Sequence, residues 1–269
     1  MDASGYRHSM PELPEVESYR RLAEGALDRR ISSVSATDAW FLKGGADGPA
    51  VSAALTGNRF VSARRIGKLL LLDTEAGPTL GIRFGMTGTL VVDELVGVDD
   101  MRYVPRRTDR AWDRFSVGFA DGGSMAVRDP RRLGGVALDP DVTRLGPDAA
   151  SISTAALAEA LRGSKAPLKA RLLDQSKVAG VGNLIADEVL WRAGLSPLRE
   201  SGSLEQRDLR RLHRHLGGTL EDLMARGGSH RGDLMDERHP GGRCPKDGCD
   251  LVRATVGGRT SWWCPRHQL

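Results

Sequence analysis

The chain is expected to be an α+β multidomain protein, with a β-sandwich and a flanking helix first, a helical domain next and a small β-hairpin module last. Three observations predict this. From Ile31 to about Pro140 the sequence runs in short β-type stretches separated by Gly-rich turns such as Asp121-Gly122-Gly123. Beyond Leu145-Gly146-Pro147-Asp148 the composition shifts to Ala, Leu and Arg with helical spacing. All three cysteines, Cys244, Cys249 and Cys264, fall near the C-terminus beside His267.

A length of 269 residues leaves room for two or three domains with a real core. Hydrophobic residues make up 40% and charged ones 28%, which excludes a disordered chain. No apolar run approaches the roughly 20 residues needed to span a bilayer, so no membrane partner is expected. The polar start Met1–Ser9 lacks the charged-then-apolar plan of a secretory signal. The reading is therefore a cytoplasmic chain without disulfides. A net charge of +4 is compatible with a polyanionic partner and does not by itself select one.

Taken in order, Pro11-Glu12-Leu13-Pro14 leads into an amphipathic helix marked by Val16, Tyr19, Leu22, Ala23 and Leu27, expected to lie against a sheet. Strands follow at Lys68–Leu72, Thr79–Phe84, Thr89–Val92 and Phe115–Phe119. Helices are expected near 151–162, 167–175, 183–194 and 204–225; in the last, Leu209, Leu212, Leu216, Leu220 and Leu223 form one stripe. From Gly227 to Gly242 the chain is Gly-, His- and charge-rich without periodicity and reads as a mobile loop. These boundaries give an extension at 1–10, a sandwich domain at 11–142, a helical domain at 143–240 and the cysteine module at 241–269.

That last module, from Arg243-Cys244 through Cys249 to Trp263-Cys264 and His267, reads as two knuckles joined by a β-hairpin. Four such ligands suit one tetrahedral, structural zinc ion, which would hold together a piece too small for its own core. The spacing is irregular, because Asp247 sits where a second cysteine of the first knuckle is expected. The expected ligands are Cys244, Cys249, Cys264 and His267, with Asp247 as the rival to Cys249. A metal-free finger held by Trp262 and Trp263 is the alternative.

Two further features suggest an anionic partner. Gly180-Val181-Gly182-Asn183 precedes a helix, with Asn183 placed to cap it, and exposed amides there would form an anion site. Arg64-Arg65-Ile66-Gly67-Lys68 and Asp129-Pro130-Arg131-Arg132 supply cations, as does Arg259 at the hairpin tip. A solvated charged edge accounts for any one of these; together they point to a nucleic-acid backbone.

Taken in order, the motifs resemble the formamidopyrimidine-DNA glycosylase and endonuclease VIII family of base-excision repair enzymes. The matching segments are Met10–Glu17, Gly67-Lys68, Gly85-Met86-Thr87-Gly88, Asp129–Arg132, Leu168-Lys169 with Gly180–Asn183, and the terminal finger. The Leu-Pro-Glu-Val opening favours the formamidopyrimidine branch. The resemblance implies a helix-two-turn-helix fold for the helical domain and a C-terminal zinc-finger β-hairpin. It also implies a bifunctional glycosylase and AP lyase that excises oxidised bases, oxidised purines above all. The partner implied is double-stranded DNA carrying oxidised bases or abasic sites, met by a monomer in the cytoplasm at the nucleoid.

By the same resemblance Pro11 is the nucleophile, Glu12 the acid/base residue and Lys68 a second catalytic cation, with Glu15 helping to hold the site. Lys169, Asn183 and Arg259 correspond to phosphate contacts. Met86 and Arg131 would fill the space left by the extruded base, and Leu133 stands where the family usually has phenylalanine. The loop Gly228–Asp233, near where the family reads the flipped base, is unlike its common version. Nine residues precede Met10, and an acylated proline nitrogen cannot attack a sugar carbon. Met10 is expected to be the working start; otherwise the extension is cleaved, or the chain is a non-catalytic damaged-DNA-binding paralogue. A zinc-stabilised interaction module without a nucleic-acid role is the reading from another class.

Overall fold

The computed structural model describes residues 11–97 and 109–269, so Met10 and the extension before it lie outside the described residues. The chain divides into two compact units. Pro11 and Glu15–Val142 belong to the first, while Glu12–Pro14 join Thr143–Leu269 in the second.

Helix α1 (Leu13–Ala23), which belongs to the first unit from Glu15 on, is followed there by β1 (Ile31–Ser35), α2 (Gly48–Leu55), β2 (Phe60–Ile66), β3 (Leu69–Thr74) and β4 (Leu80–Arg83). Strands β5 (Thr89–Val92), β6 (Leu95–Val96), β7 (Asp113–Phe119), β8 (Ser124–Arg128) and β9 (Gly135–Leu138) complete it. They form two sheets, in orders β1-β7-β8-β5-β6 and β2-β3-β4-β9. Leu70, Leu72, Leu80 and Ile82 of one sheet and Leu90, Phe115, Val117 and Val127 of the other share one buried cluster, as a sandwich requires. Val16, Tyr19 and Ala23 of α1 enter that cluster too, so the first helix lies against a sheet as its apolar spacing predicts.

Helix α2 was not expected, because it falls within the Ile31–Pro140 stretch, whose pattern was of short strands. Asp47 caps it by accepting from the Ala50 amide, and Pro49 sits in its first turn, where a missing N–H costs nothing.

The second unit carries α3 (Thr154–Leu161), α4 (Leu168–Leu173), α5 (Asn183–Ala193), α6 (Gln206–Ala225) and the hairpin β10 (Val252–Val256) and β11 (Arg259–Trp263). Leu212, Leu216, Leu220 and Leu223 of α6 are buried with Ile185, Val189 and Leu190 of α5, and Leu209 is partly buried against them. The terminal module is not a separate body: Cys244 and Cys264 cluster with Trp191 of α5 and Leu234.

The segment from Gly227 to Gly242, expected as a mobile loop, is tied down. It forms short helical turns at Ser229–Arg231 and Met235–Glu237. Glu188 of α5 accepts the Asp233 and Leu234 amides at 3.1 and 2.9 Å, and Arg192 and Arg226 both bind the Asp233 carboxylate. These partners lie up to 46 residues away, beyond the reach of local pattern.

Candidate functional site

In the second unit, the anion site expected at the start of α5 exists, but the protein fills it itself. The carboxylate of Glu12 accepts the Leu184 and Ile185 amides at 2.8 and 3.1 Å and is 1% exposed. Two backbone donors and the positive end of the helix dipole stabilise its negative charge. Gly182 makes the fit possible, since a Cβ there would overlap the Glu12 carboxyl. The turn is pinned by Gln175, whose amide donates to the Val181 and Leu173 carbonyls while its oxygen accepts from Gly180. Leu13 donates back to the Gly180 carbonyl.

Asn183 does not cap α5. Gly182 is the cap residue and Asn183 begins the helix, half-buried, with its side-chain oxygen lacking a partner among the described residues.

Lys169 departs furthest from its expected role. It is fully buried, with its ammonium 2.7 Å from Asp187 and 3.0 Å from the Thr260 carbonyl, so it is turned inward and not toward an external phosphate. Burial pulls the ammonium below its ordinary value; the charge of Asp187 and its hydrogen bond work in the opposite direction. The Asp187 carboxylate also accepts from Ser261 Oγ, the Trp262 amide and the Arg238 guanidinium, so one buried residue of α5 joins α4, β11 and the loop. Arg259, exposed at the start of β11, is thus carried on a hairpin anchored by Asp187. Sequence reasoning missed Asp187, which lies inside the helix expected near 183–194 with no local signal to mark its partners.

In the first unit Lys68 is half-buried in the two-residue turn between β2 and β3, where Ile66 pairs with Leu69. The neighbouring arginines are not open cations: Arg64 binds Asp73, and Arg65 reaches Glu17. Glu15 is buried, and its charge raises the Tyr19 hydroxyl further after burial has already done so. Pro11 is buried.

Met86, Arg131 and Leu133 are assembled by one buried carboxylate. Asp129 accepts from Thr87 Oγ1 at 2.6 Å, from the Arg131 amide at 3.1 Å and from the Gly134 amide at 2.8 Å. Gly85, at φ +59°, lies so close to the Leu133–Gly134 backbone that a Cβ would overlap it, so the Met86 turn and the Arg131–Leu133 loop pack directly together. Leu133 is half exposed, Arg131 is exposed, and Met86 is partly so.

The metal-ligand set needs one correction. Cys244 Sγ, Asp247, Cys264 Sγ and His267 bring their donor atoms within 4.8 Å of one another, and Cys249 is not among them. The cause is a local turn: the Cys249 amide donates to Asp247 Oδ1, which swings the carboxylate into the cluster, while the Cys249 thiol faces the Asp250 carbonyl. Separations of 3.6 Å from Cys244 Sγ to His267 Nδ1, and of 3.3 Å from Asp247 to both Cys264 Sγ and His267 Nδ1, suit a tetrahedral ion. The edges of a tetrahedron with zinc-type bond lengths are roughly 3.3–3.8 Å. His267 Nε2 sits 3.1 Å from the Trp191 carbonyl, which takes its hydrogen and leaves Nδ1 as the donor atom toward a metal.

Residues 10–136 match the formamidopyrimidine-DNA glycosylase N-terminal domain, and residues 145–233 the H2TH domain of the same enzymes. The chain is 34% identical to the formamidopyrimidine-DNA glycosylase of Chloroflexus aggregans, covering 97% of this chain and 99% of that one. This chain belongs to the formamidopyrimidine-DNA glycosylase family. The Stenotrophomonas maltophilia member is 35% identical, over 96% of this chain and all of its own length. Among solved structures, Lactococcus lactis Fpg bound to a Fapy-dG-containing DNA superposes with a TM-score of 0.80 at 26% identity, covering 96% and 99% of the two chains. A second complex of that protein, with an abasic-site DNA, gives the same values. Among the described residues no helix is long and apolar enough to cross a membrane.

Proposed function

We propose that this family member is a bifunctional DNA glycosylase and AP lyase acting on oxidised bases, chiefly oxidised purines, in double-stranded DNA. The observation that carries this reading is Glu12, whose carboxylate is fixed by two amides of α5 one residue after Pro11. Family membership supports it.

With Pro11 at the N-terminus, its secondary amine attacks C1′ of the damaged nucleotide as the base leaves, forming a C–N bond and breaking the glycosidic bond. A free α-amino group has a pKa of about 7.7–8.0, so a useful fraction is unprotonated near neutrality. Ring opening gives an iminium, which acidifies the C2′ proton; successive β- and δ-eliminations then release the sugar and leave phosphate ends on both sides. Glu12, seated on the two α5 amides, protonates the sugar ring oxygen and shuttles protons during ring opening. Lys68 sets a positive charge against the phosphate beside the lesion. Met86, Arg131 and Leu133, gathered by Asp129, occupy the space of the extruded base. Asn183 and Arg259 meet backbone phosphates, whereas Lys169 acts through the buried pair that seats the hairpin. The enzyme works as a monomer on chromosomal DNA.

Cys244, Asp247, Cys264 and His267 would hold one structural zinc, which supplies folding energy to the terminal hairpin. Asp247→Ala is expected to lower the zinc content well below one ion per chain and to speed its loss to a chelator, while Cys249→Ser keeps one ion; metal analysis of the purified variants checks both. Full zinc in Asp247→Ala would reverse the assignment.

The nine residues before Met10 favour a second reading, a damaged-DNA-binding paralogue whose Pro11 is acylated. Incubation with a duplex containing one oxidised guanine separates the two. The catalytic reading expects phosphate at both ends of the gap; lesion-selective binding without cleavage would leave the paralogue.

A further inference from the structure

Trp40 stands apart among the aromatic side chains. It is 66% exposed, whereas every other Phe, Tyr and Trp ring among the described residues is buried or half-buried. A single exposed ring is unremarkable by itself. This one is fixed in place. Its indole N–H donates to the Arg132 carbonyl at 3.2 Å, and its backbone amide donates to Asp38. Asp38 in turn takes both guanidinium arms of Arg132 at 2.7 and 2.6 Å. Arg132 has φ +57°, a conformation that non-glycine residues rarely adopt, and the Asp38 pair helps hold it there.

The Asp38–Lys43 segment is therefore clamped to the Arg131–Leu133 loop. Lys43 lies 4.8 Å from the Trp40 ring centroid, covering one face with positive charge. Leu133 is 51% exposed, and the exposed Arg131 guanidinium meets no acceptor among the described residues. The result is one patch with a rigid aromatic face, an aliphatic side chain and cations around both. Aromatic planes bordered by cations suit an unstacked base on a phosphate backbone, and the uncompensated charge of Arg131 selects a polyanion over an apolar protein surface.

We propose that Trp40 is a stacking platform for an unstacked nucleobase on the DNA strand that Arg131 engages, and so a determinant of which base is accepted opposite the lesion. This rests on the DNA-repair reading above. Its polar edge is satisfied by Arg132, so the ring keeps its orientation before DNA arrives.

The test uses the full chain and a duplex in which a tetrahydrofuran abasic analogue faces 2-aminopurine. Binding of the wild type should quench 2-aminopurine emission by stacking. Trp40→Ala should lose most of the quenching and bind about tenfold more weakly at physiological salt, and Trp40→Phe should restore most of both. Lesion-selective binding with Trp40→Ala indistinguishable from wild type in emission and affinity would overturn the proposal alone. Equal affinity of the wild type for damaged and intact duplexes would remove the functional reading and this proposal with it.

Discussion

Gly182→Ala is expected to cut lesion cleavage by about a hundredfold or more while leaving the protein folded. The backbone at Gly182, φ −116° and ψ −167°, is extended and open to any residue, so alanine introduces no backbone strain. What the new methyl group meets is the Glu12 carboxyl, the far end of a flexible side chain. Glu12 yields, and the Leu184 and Ile185 amides lose their acceptor. Loss of that cap costs about 1 kcal/mol, too little to unfold a protein of this size. Loss of a positioned acid/base group costs roughly 10²–10⁴ in rate. Single-turnover cleavage alongside thermal unfolding checks both halves, and wild-type cleavage by a folded Gly182→Ala protein would show that the Glu12 seat is dispensable.

Asp187→Asn is expected to have the largest effect on stability, about 3 kcal/mol or more. The substitution leaves Lys169 and Arg238 buried around a neutral amide, and breaking a buried pair from one side costs about 3–5 kcal/mol. Lys169→Met should cost less, because Asp187 keeps Arg238, Ser261 and the Trp262 amide. Denaturant unfolding of the two single variants and the double variant gives the coupling directly. DNA affinity should fall with Asp187→Asn even where the protein remains folded, since the hairpin bearing Arg259 loses its anchor. A change below about 1 kcal/mol would mean that water reaches this pair.

How far the sequence was legible depended on the range of each interaction. The strands of the sandwich and the leucine stripe of α6 follow from local periodicity, and the structure places them close to where that periodicity puts them. The start of α2 carried a readable signal, Asp47 three residues before Ala50 with Pro49 between them, inside a stretch that was read only for its strands. An anion site at α5 was legible from Gly-Val-Gly, but its occupant, Glu12, lies 172 residues away in the chain. The same limit hid the burial of Lys169, whose partner is on another helix, and the tethering of the Gly227–Gly242 segment by Glu188. The choice of Asp247 over Cys249 turned on a local hydrogen bond that spacing rules do not encode.

The chemistry depends on a free imino group at Pro11, and that can be read from a single adduct. Borohydride reduction during turnover of a lesion-bearing duplex, followed by proteolysis and mass spectrometry, locates the sugar remnant. The account predicts it on the nitrogen of Pro11, as the first residue of its peptide. A remnant on a lysine, or on a chain that still carries residues before Pro11, would contradict it.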